Sequence, residues 1–228
     1  MRPVSRGPAP RDYRRYGEAI GDLETALGTY CSYCERRLPV SLAVEHVVPK
    51  SLVPELETVW DNFLLGCTNC NSVKLDQPTN KRDFLWPDVD NTLRAYVYSK
   101  GGFVTVADGL TRTMKGKASK LMELVGLNRH GTEGHPAPAP RDKRWQQRND
   151  AWDAAVLAKS RLEALGDDPA AQDLVVLAAE GYGFFSVWMT VFADHAVLKQ
   201  RLIQTFKGTA ADCFDVNANA VSRPGGRL

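Results

Sequence analysis

The sequence predicts an α+β protein: a small strand-and-helix unit clamped by cysteines, then a hairpin, then a mainly helical C-terminal region. Three observations carry that prediction. Two CxxC pairs, Cys31/Cys34 and Cys67/Cys70, bracket a short apolar run, Leu42-Ala43-Val44, that ends in Glu45-His46. Two β-rich runs, 93–98 and 103–106, are joined across Ser99-Lys100-Gly101-Gly102, a hairpin signal. From residue 141 onward, apolar residues recur at the three-four spacing of helices.

Residues 11–28 place Tyr16, Ala19, Ile20, Leu23 and Leu27 at helical spacing and stop at Gly28. Ahead of and within this stretch, Arg2, Arg6, Arg11, Arg14 and Arg15 face only Asp12, which reads as a basic arm or a solvated tail. Residues 1–28 are therefore one region, an arm and a helix.

The next region, 29–80, holds the cysteine pairs. Each CxxC lets two thiolates from one turn reach the same ion, and two turns complete the sulfur tetrahedron that zinc favours. Two disulfides are the alternative. The N-terminus has no apolar leader, so a cytoplasmic location is expected, and reduced thiols favour metal. Cys213 has no cysteine partner and reads as a buried or free thiol.

Between the pairs lie the parts of a hydrolytic site. Histidine is the side chain suited to take a proton from water near neutral pH. Glu45 and Asn71 offer oxygen ligands of the kind Mg²⁺ or Mn²⁺ accepts. A strand bearing Glu45-His46, a loop, and a helix begun near Cys70 with Asn71 and Lys74 on one face make a ββα unit. The bland alternative is a half-buried His beside a solvated Glu. Lys74 reads equally as a phosphate contact or a solvated lysine, and Trp60 as a core plug beside the zinc.

Cys31-x2-Cys34, Glu45-His46-Val47-Val48-Pro49-Lys50, Trp60-Asp61-Asn62 and Cys67-x2-Cys70-Asn71-x2-Lys74 together resemble a zinc-bearing HNH (ββα-metal) endonuclease. The wording Tyr30-Cys31-Ser32-Tyr33-Cys34-Glu35, the Pro49-Lys50-Ser51 ending and Gly126-Leu127-Asn128-Arg129 are similar to the HNH component of Septu-type and retron-associated anti-phage systems. The resemblance implies that His46 is the general base, that Asn62 holds the loop and the histidine, and that Glu45 and Asn71 are ligands of the catalytic Mg²⁺. Asn71 departs from the literal H-N-H letters but keeps an oxygen donor. In those systems the HNH protein works with a separate ATPase. This chain has no phosphate loop of its own, so any ATP control falls to a partner.

A net charge of +2 over 228 residues does not by itself announce a nucleic-acid binder. Local clustering says more: Arg94, Lys100, Arg112, Lys115, Lys117 and Lys120 face one acid, Asp108, between 94 and 120. Lys50, Lys74, Lys115, Lys117 and Lys120 are accordingly candidate DNA contacts. The hairpin and a helix over 113–127 complete the nuclease domain (81–130). The Gly/Pro-rich 131–140 reads as a linker whose neighbour His130 and own His135 are solvated.

Region 141–228 predicts helices over 141–165, from Asp168-Pro169 to Gly181, and over 185–207. His195 is expected in a packing seam, and the aromatic stretch 183–192 is either core or a docking face. No stretch is long enough to span a membrane. The apolar stripe fits a core, a dimer contact or an ATPase contact equally. The function expected is Mg²⁺-dependent DNA cleavage in anti-phage defence. A stand-alone restriction or mobile-element nuclease and a catalytically silent zinc module that binds nucleic acid are the alternatives.

Overall fold

Leu42–His46 (β1) and Phe63–Cys67 (β2) form an antiparallel hairpin, in register from Leu42 opposite Cys67 to His46 opposite Phe63. The computed structural model describes residues 1–228. β2 is buried along its whole length, as its unbroken apolar run requires. The chain passes straight from β2 into the helix Thr68–Lys74 (α2), whose N-cap is Cys67: its sulfur accepts the Cys70 N–H. This is the expected ββα unit. The helix Ile20–Leu27 (α1) packs on both strands, burying Leu23 and Leu27. Residues 11–15, expected to be helical, are not part of it. Tyr13 instead leaves for a stacked contact with Trp60 at 5.9 Å, and regular α-helix begins only at Ile20.

A second antiparallel hairpin pairs Tyr96–Ser99 (β3) with Phe103–Val106 (β4) across the predicted glycine turn. Arg112–Leu124 (α3) follows, started by the Thr111 hydroxyl that accepts the Met114 N–H. Arg144–Ala164 (α4) and Pro169–Tyr182 (α5) stand where periodicity put them, with Asp168 capping two amides of α5. The helix expected over 185–207 is two: Phe185–Val191 (α6) and Ala196–Thr205 (α7). His195 makes the break. Its Nδ1 accepts the Leu198 N–H as an N-cap, and its Nε2 meets Asp167 Oδ1 at 2.7 Å.

One apolar cluster of 47 buried residues runs from Met1 to Leu228, so the regions read along the chain share a core. Two expectations change accordingly. The basic arm is not free at its start: Arg2 is buried, and its guanidinium donates to the carbonyls of Leu27, Phe206 and Lys207. The aromatic stretch is core, not a docking face, because Phe184, Phe185, Trp188 and Phe192 are all buried. The segment 131–140 lacks regular structure as expected, but His130 before it is buried and stacks on Phe103 at 4.0 Å.

Glu35, just past the first cysteine pair, joins three parts of the fold. Its carboxylate accepts from the Arg2 amide, the Tyr98 hydroxyl of β3, and both the amide and hydroxyl of Ser186 on α6. Gly183 lets α6 approach that turn: a Cβ there would stand 2.7 Å from Glu35 O and from Arg37 N. No helix is long and apolar enough to cross a membrane.

Candidate metal centre and hydrolytic site

The turn at 31–34 and the β2–α2 junction bring Cys31, Cys34, Cys67 and Cys70 together, all buried, with their sulfurs within 4.8 Å of one another. Two of the contacts, Cys31 to Cys70 and Cys34 to Cys67, are 3.7 Å. Zinc–sulfur bonds near 2.3 Å in a tetrahedron set sulfurs about 3.8 Å apart, whereas a disulfide needs about 2.05 Å. All five cysteines are free thiols, Cys213 among them, buried as expected. The four-cysteine cluster fits zinc. Backbone amides point at it: Cys67 N–H to Cys31 Sγ at 3.3 Å and Cys70 N–H to Cys67 Sγ at 3.4 Å. Trp60 is a buried plug, but it sits just before the Phe63 end of β2, away from Cys67 at the other end, and its indole N–H bonds Gly7 O at 2.9 Å.

Glu45, Asn71 and Lys74 meet on one side of β1. Gly66 makes the room: a Cβ there would lie 2.1 Å from Asn71 Oδ1 and 3.0 Å from Glu45 Cβ. The Lys74 ammonium sits 2.8 Å from Glu45 Oε1 and donates to His46 O at 2.7 Å. Tyr33 OH reaches the same Oε1 at 3.4 Å. Burial pushes the Glu45 carboxyl above its ordinary range, with Lys74 opposing. Asn71 Oδ1 is buried with no hydrogen-bond partner, and Glu45 Oε2 makes no hydrogen bond. The buried, unpartnered Asn71 Oδ1 with the Glu45 side chain beside it is an oxygen donor set that suits a hard divalent cation.

His46 leaves β1 on the other face, since successive strand residues alternate. Its ring is held edge-on between Tyr16 at 5.1 Å and Phe63 at 5.2 Å. Nε2 lies 2.9 Å from Glu57 O, and a carbonyl only accepts, so Nε2 carries the proton and Nδ1 is the basic nitrogen. Burial pulls the imidazole below its ordinary value, the Glu57 bond opposing and the charges of Lys50 and Lys74 assisting. Asn62 ties the loop: Oδ1 accepts Val48 N–H at 2.8 Å, and Nδ2 donates to Val48 O and Leu56 O.

The lysines are less free than the sequence suggests. Lys74 is 2% exposed and committed to Glu45, which corrects its reading as a phosphate contact. Lys50 pairs with Glu57 Oε1 at 2.8 Å and lies over the Tyr16 ring at 4.0 Å. Lys117 donates to Arg82 O, and Lys115 lies 3.5 Å from Asp108. Lys120 is exposed and lines an open cleft of about 500 Å³ between α3 and the loop at 77–84. Sequence reading missed Tyr16, Tyr33, Glu57 and Phe63 as neighbours of the site. Only the spacing of Lys50 from Glu57 hinted at any of them. His130 and His135 gather no carboxylate or thiol around them, and the four-cysteine cluster is the metal-ligating group the fold assembles.

Residues 31–77 match the family model described as HNH endonuclease. That segment is similar to an HNH endonuclease domain. The matched segment contains both cysteine pairs, both strands of the first hairpin and α2. The chain is also similar to the Septu protein PtuB of Bacillus thuringiensis, 31% identical over 104 residues, which is 43% of this chain. It covers 36% of that relative's length, and the likeness is longer than the HNH domain alone.

Proposed function

We propose that this chain is a divalent-metal-dependent endonuclease that hydrolyses DNA phosphodiester bonds as the nuclease component of an anti-phage system. The observation that carries the reading is the state of His46: one ring nitrogen fixed on Glu57 O, the other unbonded, and burial keeping the ring neutral at pH 7. Such a group takes a proton from water as that water attacks phosphorus and the P–O3′ bond breaks. Asn62 fixes the loop from Val48 to Leu56 and with it the segment carrying Glu57. Tyr16 and Phe63 hold the imidazole plane.

Glu45 and Asn71 would hold Mg²⁺ or Mn²⁺, with Lys74 orienting the carboxylate through its other oxygen. When bound, such an ion supplies Lewis-acid polarisation of the phosphate. The four cysteines would hold a structural zinc that fixes α2, and therefore Asn71, against β1. Lys120 and the half-exposed Lys50 are the remaining candidates for phosphate contact. The similarity to the Septu protein supports assembly with an ATPase subunit.

Plasmid DNA incubated with the zinc-loaded chain and Mg²⁺, alone and with its ATPase partner, tests the proposal. His46→Ala is expected to keep fold and zinc while cleavage falls by at least about 100-fold. Unchanged cleavage by that variant would overturn the assignment.

A further inference from the structure

The zinc cluster is touched by a residue from far outside the matched domain. Arg144, the first residue of α4, is 3% exposed and donates from Nη1 to Cys70 Sγ at 3.1 Å. The same guanidinium donates to Val125 O at 2.8 Å and Gly126 O at 3.2 Å, just past the end of α3. Its Nε and Nη2 grip both oxygens of buried Asp142. One side chain thus joins α2, the exit of α3 and the start of α4.

Its position runs against local preference. A cation at the first position of a helix opposes the macrodipole. Lys143 gives α4 no side-chain cap, and the first amide of the helix is met instead by Asp142 Oδ1, which accepts the Arg144 N–H at 3.2 Å. Four thiolates around one Zn²⁺ carry a net charge of −2, and a buried guanidinium 3.1 Å from one sulfur offsets part of it. Asp142 and the anionic cluster together compensate the misplaced cation.

We propose that Arg144 is a positioning residue of the zinc site, and that zinc, through Arg144, fixes the start of α4 to the nuclease core. The proposal rests on the zinc reading of the four cysteines, and the experiment separates the two. The metal content of the purified full chain tests that reading: one zinc per chain is expected, and a folded chain without zinc removes the site and the proposal together.

The proposal itself is tested by chelator competition on Arg144→Lys, which keeps the charge but loses the fork, and on Arg144→Gln. Zinc affinity is expected to fall by about 10–100-fold, the usual effect of removing an outer partner of a metal ligand, with Lys retaining more than Gln. Co²⁺ substitution should still give a tetrahedral thiolate spectrum in Arg144→Lys. Should Arg144→Gln not fold, the Lys variant alone decides. In the wild-type chain, amide exchange over 125–148 should rise on chelation before exchange in α5 and α7 does. Unchanged zinc affinity in Arg144→Lys, or a simultaneous rise in all helices, would overturn the tie.

Discussion

Replacing Lys74 with Met is expected to destabilise the fold by about 3–5 kcal/mol, the cost of leaving a buried charge without its partner. The side chains of Lys74 and Glu45 are 2% and 9% exposed, so water screens the pair little. After the substitution Glu45 keeps only the Tyr33 hydroxyl at 3.4 Å, and His46 O loses its donor. At about 2–4 °C per kcal/mol for a chain of this size, a thermal melt of zinc-loaded, magnesium-free protein should drop by roughly 6–20 °C.

The pH dependence has a defined sign. Burial raises the folded pKa of Glu45 above the ordinary 4.5, so the folded chain holds this proton to higher pH than the unfolded chain. Ionised Glu45 therefore costs stability as pH rises through that window. Without Lys74 the window extends upward, and the deficit of Lys74→Met should be larger above neutral pH than near 4.5. Glu45→Gln in the same background removes the stranded charge and should recover most of the loss. A deficit below about 1 kcal/mol, the range of an exposed pair, would refute the buried-pair reasoning. So would a double variant no better than the sum of the two singles.

Gly66→Ala would place a methyl 2.1 Å from Asn71 Oδ1. It should cut Mg²⁺-dependent cleavage by about tenfold or more while zinc content stays whole, the forced shift costing roughly 1–3 kcal/mol of stability. Cys67→Ser removes a zinc ligand while leaving a side-chain oxygen able to cap α2. Metal analysis should find no zinc, and circular dichroism should show a largely unfolded chain, since structural zinc supplies on the order of 10 kcal/mol in small modules. A folded, active Cys67→Ser protein would show the clamp dispensable. For His46 the folded pKa lies below 6.5, so the neutral base survives as pH falls through 6.5 and a pH–rate profile should hold its plateau past that point. Stability should decline over the same interval, because the unfolded chain takes that proton first, and His46→Ala should lack the decline.

What could be read from the sequence, and what could not, divides by range of interaction. The cysteine pairs, β1 and α2 are specified by neighbours a few residues apart, where spacing and period speak directly. The glycine-linked hairpin and the Asp168-Pro169 start of α5 are local signals too. The misreadings all concern partners distant in sequence. Lys74 read as a phosphate contact or a solvated lysine because nothing in its own helix announces Glu45, which arrives from β1. Arg2 looked like part of a free arm because its acceptors lie at Leu27, Phe206 and Lys207.

The break before α7 follows the same logic: periodicity favours one helix, but His195 gains an N-cap bond and Asp167, and those outweigh continued helical hydrogen bonding. Arg144 is the furthest case. An arginine after a Gly/Pro-rich stretch carries no metal signature, yet its guanidinium lies 3.1 Å from Cys70 Sγ across 74 residues of chain. A family model that ends at residue 77 therefore leaves out a side chain that donates to the four-cysteine cluster from a helix beyond its boundary.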